Sequence, residues 1–344
     1  MQESSRSLEK CCFLLMAMVL FMLQGCGTMK RMPPPMATIP GTSGHFWIGQ
    51  ILDVKAGKVI TFEELIETLC SKDLIFLGEV HDNPEHHLIQ VQILQALDAR
   101  CGPPALAMEV FQSPRQDALD RYLGGEIPEE IFLKTVDWKK SWGYDYLFYR
   151  PLLLWAKANR SPIQAVNAPI DVVRKVARKG LSGLDAGERN AIAGEIDLNQ
   201  EAHRDYLRRV YEQHRHGELE NFDYFYEAQC VWEETMAENA SRFIEKGKTR
   251  LVFIAGNGHL INKYGIPDRM LKRVPVSAVT LLPYPIHGKE DLEREVADYI
   301  WLTPEAPHRF RFFHNMKMKP EAPKKEEEKP QLKKGPSSDA SSKP

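Results

Sequence analysis

The sequence predicts an α/β fold, a central and mostly parallel sheet with flanking helices and a helical insertion. Three observations predict it. Four short runs, Leu74–Leu77, Ala105–Met108, Ile163–Val166 and Leu251–Ala255, are almost continuously apolar, as strands covered on both faces are. The stretches between them carry helical spacing. Each run ends in polar or glycine residues, and in open α/β sheets ligands bind at the carboxyl ends of the strands.

Taken in order, the chain opens on a targeting segment. Met1–Lys10 carries Arg6 and Lys10, and Cys11–Leu23 is an apolar run too short to span a bilayer comfortably. It closes in Leu23-Gln24-Gly25-Cys26, which resembles the lipobox of bacterial lipoproteins. Residues 1–25 are therefore expected to be a signal peptide and Cys26 the lipidated residue. Acyl chains there would anchor the protein stably to a membrane. Gly27 follows the cysteine instead of the Asp that marks inner-membrane retention, so the expected location is the periplasmic face of the outer membrane. Residues 26–45, with Pro33-Pro34-Pro35, read as a tether.

The folded body is expected over residues 46–315. Its first strand leads into a helix over Pro84–Leu97, with Asn83 as N-cap and Pro84 at the first helical position. Further helices are expected over Asp145–Asn159, Asp171–Arg178, Leu198–His214 and Phe222–Ile244, the last two forming a helical insertion over one end of the sheet. Residues 316–344 mix Lys, Glu, Pro and Ser and read as a disordered, solvated tail. Across the chain 45 basic residues face 47 acidic ones, a balance that argues against a nucleic-acid binder working by bulk charge. Of the cysteines, Cys70, Cys101 and Cys230 remain in the body. One disulfide with a free thiol and three buried thiols are both consistent with their spacing, and no CxxC or Cys/His cluster signals structural zinc.

The strand ends gather the chemistry. The first runs into Glu79 and His81, the second into Glu109, the third into Asn167, and the fourth into Gly256-Asn257-Gly258-His259. Two carboxylates and two imidazoles at corresponding ends make a functional crevice. His81 or His259 is suited to act as general base toward water, oriented by Glu79 or Glu109, with Asn257 stabilising an oxyanion. The same four groups are also a donor set for a divalent metal with an open position for water. No Gly-x-Ser-x-Gly elbow supports a covalent serine mechanism.

Leu77-Gly78-Glu79-Val80-His81-Asp82-Asn83 with His86-His87, Ala107-Met108-Glu109 and Gly256-Asn257-Gly258-His259 together resemble the ChaN-like haem-binding lipoproteins. Trp142-Gly143-Tyr144, Tyr149-Arg150-Pro151-Leu152 and the stretch from Gln229 through Glu233 to Met236-Ala237 fit the same pattern. The likeness runs from about Thr61 to Trp301, and the wider group includes Tiki/TraB proteins and erythromycin-esterase-like hydrolases. The resemblance implies haem as cofactor, two stacked haems at a homodimer interface, and a part in iron uptake. Tyrosine ligation of ferric haem is chemically reasonable, since phenolate is a hard anionic donor. Tyr144, Tyr146 and Tyr149 are the candidate ligands, and Arg150 is suited to a propionate or to a neighbouring carboxylate. His86 and His87 read as ordinary helix residues, and His214 and His216 as solvent-facing. Haem handling, an uncharacterised hydrolase and a tethered envelope scaffold are the three functions in play.

Overall fold

The computed structural model describes residues 33–213, 221–247 and 250–306. The expected signal segment, Cys26, His214, His216 and the polar tail lie outside the described residues. The strands are β1 (Met36–Thr38), β2 (Phe46–Trp47), β3 (Ile51–Asp53), β4 (Lys58–Ile60), β5 (Leu74–Glu79), β6 (Ala105–Gln112), β7 (Ile163–Asn167), β8 (Leu251–Gly256), β9 (Ala278–Ile286), β10 (Lys289–Asp291) and β11 (Tyr299–Pro304). The α-helices are α1 (Phe62–Cys70), α2 (Pro84–Cys101), α3 (Gln116–Leu123), α4 (Glu129–Thr135), α5 (Trp138–Ser141), α6 (Tyr146–Asn159), α7 (Ile170–Lys179), α8 (Ala186–Asn190), α9 (Glu201–Gln213), α10 (Phe222–Lys246) and α11 (Ile266–Arg273).

An eight-stranded sheet has the order β4-β3-β11-β9-β5-β8-β6-β7. From β11 to β7 every pairing is parallel, and only the pairings of β3, with β11 and with β4, are antiparallel. The four runs expected from sequence are β5, β6, β7 and β8. Their side chains alternate between two cores, as a period of two requires. Ile75, Leu77, Leu106, Met108, Val252 and Ile254 pack toward α1, α2 and α6. Leu74, Phe76, Ala105, Ala107, Leu251 and Phe253 pack against Met236, Ala237 and Ala240 of α10 and Met270 of α11. Burial on both faces explains why these strands lack a polar alternation.

Helix starts are set by local chemistry. The Asn83 side chain accepts from the Glu85 N–H at 3.1 Å with Pro84 following, and the Asp145 side chain accepts from the Leu147 N–H at 2.9 Å. Both helices begin at the carboxyl edge of the sheet, so their first turns border the strand ends. The insertion between β7 and β8 lies along one face rather than over one end, because the apolar stripe of α10 needs a sheet face to bury against.

Two expectations are corrected or decided. Met36–Thr38, inside the stretch read as a tether, is a strand: β1 pairs with β10 and β2 in a three-stranded sheet and buries Ala37. Composition pointed to a loop there, but one buried residue and two partner strands suffice to fix so short a segment. Of the two cysteine arrangements, the disulfide is found, Cys70 to Cys101, with Cys230 buried and free.

Candidate functional site

Parallel register brings the strand ends together. Glu79 on β5 lies opposite Gly256 on β8, and the Gly256 N–H donates to Glu109 Oε2 of β6 at 2.7 Å. Space at Gly256 decides the arrangement. A Cβ there would stand 2.8 Å from His81 Cε1 and 3.5 Å from Glu109 Oε2, so only glycine lets the His81 ring lie against β8 beside Glu109. At Gly78 a Cβ would meet Asn257 Oδ1 at 2.0 Å, so the loop after β8 rests directly on β5.

Around Glu79 a buried carboxylate collects three donors. The Tyr149 hydroxyl donates at 2.5 Å, Gln90 Nε2 at 2.8 Å and the His81 ring through Nδ1 at 2.7 Å, while His87 Nδ1 stands at 3.6 Å. Burial works against the charge, but His87, His81 and the Tyr149 hydroxyl outweigh it and hold the Glu79 carboxyl down at about 2. The same carboxylate, after burial itself, pushes the Tyr149 phenol well up, so that hydroxyl stays a donor.

A second relay runs from Glu109 into the insertion. His259 Nε2 lies 3.5 Å from Glu109 Oε1, and His259 Nδ1 lies 3.1 Å from Glu233 Oε1 of α10. Glu233 is wholly buried, with His203 Nε2 of α9 at 3.4 Å and Arg269 Nη1 of α11 at 3.6 Å from its other oxygen. Burial disfavours a charged His259, yet Glu109 and Glu233 on either side override it and raise its pKa to about 10. His81 is raised as well, with burial opposing and Glu109 and Glu79 prevailing. The crevice thus holds imidazolium and carboxylate in alternation, a set suited to moving protons.

The expected site residues divide sharply. Glu79, His81, Glu109 and His259 converge. Asn167 supports them from below, its Nδ2 donating to the Glu109 carbonyl at 2.7 Å. Asn257 gives one amide N–H to the sheet, its Nδ2 donating to the Pro283 carbonyl at 2.8 Å. Tyr149 is a correction, since at 1% exposure it serves Glu79 in the interior and presents no surface ligand. The Tyr146 hydroxyl donates to Glu129 at 3.1 Å, and Arg150 Nε bridges both Glu129 oxygens at 2.9 and 3.0 Å, the carboxylate alternative for that guanidinium. Tyr144 stays at the mouth, half-buried, its ring 4.9 Å from His81 and 5.5 Å from Trp142. Burial, then Asp82, Glu109 and Glu79, push its phenol upward. Among the described residues no three His, Cys, Asp or Glu side chains are arranged to hold a metal ion.

Sequence reasoning did not single out Glu233, Gln90, His87, His203 or Arg269 as part of the site. His87 is no ordinary helix residue: it is buried, stacked on Phe148 at 5.3 Å, and hydrogen-bonded through Nε2 to the His81 carbonyl at 3.1 Å. A signal for Glu233 was present. It sits with Tyr226, Cys230, Ala237 and Ala240 at helical spacing on the buried stripe of α10, where a charge requires a partner.

Three comparisons bear on this geometry. The model of the family described as haem-binding uptake, Tiki superfamily, ChaN matches residues 65–270. Among solved structures, ChaN of Campylobacter jejuni, described as binding haem cofacially, superposes with a TM-score of 0.59 at 22% identity, covering 73% of this chain and 95% of that one. A mutant of the erythromycin esterase EreC in its open conformation gives a TM-score of 0.40 at 14% identity, over 68% of this chain and 76% of that one. Among curated proteins, the chloroplastic Protein RETICULATA-RELATED 5 of Arabidopsis thaliana is 23% identical over 267 residues, 70% of this chain and 35% of that protein. The chain therefore spans about a third of the length of the curated relative it matches.

Proposed function

Because the chain belongs to the haem-binding uptake family of the Tiki superfamily, ChaN, we propose that it binds haem at the mouth of the crevice, with Tyr144 facing the iron. One observation carries the reading. Of the three candidate tyrosines, Tyr144 alone sets its ring against His81, and it packs there with the half-buried Trp142. The donor set fits the group: aromatic rings suit contact with a porphyrin, and a phenol suits ferric iron. Haem, when bound, would supply a ferric centre able to take a phenolate ligand. Burial and the acids behind Tyr144 oppose its ionisation, so the phenolate would form only with a strong cation facing its oxygen.

The reading extends to a lipid-anchored envelope protein, attached through Cys26 on the periplasmic face of the outer membrane and acting in haem acquisition. The Cys70–Cys101 disulfide supports an oxidising compartment. Mature protein titrated with ferric haem is expected to shift the Soret band and saturate at a defined stoichiometry. Tyr144→Phe is expected to lose the phenolate charge-transfer band and at least tenfold in affinity. An unchanged wild-type spectrum would refute the proposal.

A second reading is supported by the same crevice. The Glu79–His81 and Glu109–His259 pairs meet across Gly256, and with both imidazoles held protonated the Glu109 carboxylate would be the base toward a water attacking an ester. Glu109→Ala is then expected to abolish turnover of a small ester panel without unfolding the protein. Absence of turnover in the wild type, with and without divalent metal, would eliminate it.

A further inference from the structure

Both ends of the described body leave from the edge of the sheet that carries the crevice. Strands β5, β8, β9 and β11 are parallel, so Glu79, Gly256, Ile286 and Pro304 share that edge. At the front, the Met36 N–H donates to the Gly288 carbonyl at 2.7 Å, just past the end of β9. At the back, the Asn83 Nδ2 at the start of α2 donates to the Pro304 carbonyl at 3.0 Å. At about 3.5 Å per residue, the chain from Cys26 to Met36 reaches no more than about 35 Å. A lipid on Cys26 would therefore hold the crevice edge close to a bilayer.

The large apolar side chains exposed at that edge match such a neighbour. Leu88 in the first turns of α2 and Leu147 at the start of α6 are 65% and 67% exposed, and they flank the His87–Phe148 stack. Trp47 and Ile48 lie beside β1, where Trp47 pairs with Met36 and the adjoining Gly49 N–H donates to the Leu302 carbonyl. Trp47 is the exposed one of the six tryptophans, all of which fall in the described residues. The opposite edge exposes Leu271, in the last turn of α11 before β9, among polar contacts. There Arg250 Nη2 donates to the Cys70 carbonyl at 2.6 Å, and the Ser277 hydroxyl donates to Asp73 at 2.6 Å.

We propose that the crevice edge is a membrane-facing surface, with Trp47, Ile48, Leu88 and Leu147 seated in the interfacial layer of the bilayer to which Cys26 is attached. The proposal rests on the lipid-anchor reading of Cys26. A tryptophan beside aliphatic side chains is the composition favoured at headgroup depth. The mouth between Tyr144 and Leu147 would then open toward lipid, and an amphiphilic ligand would enter from the acyl boundary rather than from bulk water.

The test uses the full chain, purified with its native acylation and reconstituted in phosphatidylethanolamine/phosphatidylglycerol vesicles with and without brominated acyl chains. The protein is expected to float with the vesicles. Brominated chains are expected to quench a component of tryptophan emission that disappears in Trp47→Phe. A dye on Leu147→Cys is expected to shift to the blue on the same vesicles. Flotation without quenching or blue shift would overturn the orientation and leave the anchor standing. Failure to float would defeat the anchor and the orientation with it. If Leu147→Glu instead abolishes a dimer formed without vesicles, the surface belongs to a second copy and the proposal falls.

Discussion

Replacing Glu79 by Gln tests the electrostatic design of the crevice most directly. In the native protein the carboxyl is held at about 2 against an ordinary value of 4.5. The folded value is depressed, so the stabilisation is present above pH 4.5 and is lost as pH falls toward 2. The full difference is worth about 3 kcal/mol. Nearly all of it is available at pH 5, and about two-fifths remains at pH 3. His81 adds nothing to this change, because its raised pKa makes it charged in both the folded and unfolded states across that window. Urea denaturation of wild type and Glu79→Gln at pH 5 and pH 3 reads the two differences. The variant is expected to be less stable by about 3 kcal/mol at pH 5, with the gap narrowing by between about 1 and 2 kcal/mol at pH 3. A gap that stays constant across that range would show that Tyr149, Gln90 and the imidazoles do not hold Glu79 ionised.

Gly256→Ala forces a methyl to within 2.8 Å of His81, and thermal melting is expected to show a loss of about 1–3 kcal/mol together with a displaced His81 resonance. The His259 pKa is raised, so its stabilisation is present below its unfolded value near 6.5 and fades as pH rises through about 10. Its ring C–H signals are therefore expected to stay at the imidazolium position at pH 8, and a midpoint near 6.5 would contradict the Glu109–His259–Glu233 relay. Cys70→Ser opens a disulfide with a sequence separation of 31 and is expected to cost about 3 to 4 kcal/mol in chemical denaturation, an effect reducing agent should reproduce in the wild type. Burial raises the Cys230 thiol to about 12, so it is expected to ignore a thiol reagent until the protein unfolds.

The parallel strands were legible because double burial writes itself as unbroken hydrophobicity. Others were not, for reasons visible in the structure. β9 contains Pro283 and Pro285, which speak against a strand, but past Leu281 it has left β5 and pairs with β11 alone, where prolines are tolerated. β3 and β4 are three residues each and carry too few positions to show a period. The crevice followed the same division. Glu79, His81, Glu109 and His259 stand at strand ends, where polarity after an apolar run draws notice. Glu233, Gln90 and Arg269 are embedded in helices of ordinary mixed composition, and only the three-dimensional packing shows which of their charges are inside. Tyr149 misled because a tyrosine in an aromatic stretch looks like a ligand, whereas its hydroxyl answers a carboxylate on a strand far away in sequence.

The order of strands has a consequence for how the chain reaches this structure. β5 is an early strand at the centre of the sheet, yet both its neighbours come late: Leu74 sits opposite Leu251 on β8 and Ala278 on β9. Closing so distant a pairing is slow, because the entropy of a long loop is lost before the contacts form. The central strand therefore waits, apolar on both sides, until most of the polypeptide has been made or delivered. Residues 62–101, by contrast, hold α1, β5 and α2 within one short segment that a single disulfide can close early. A chain of this design would lock its sheet last and begin folding from that stapled segment.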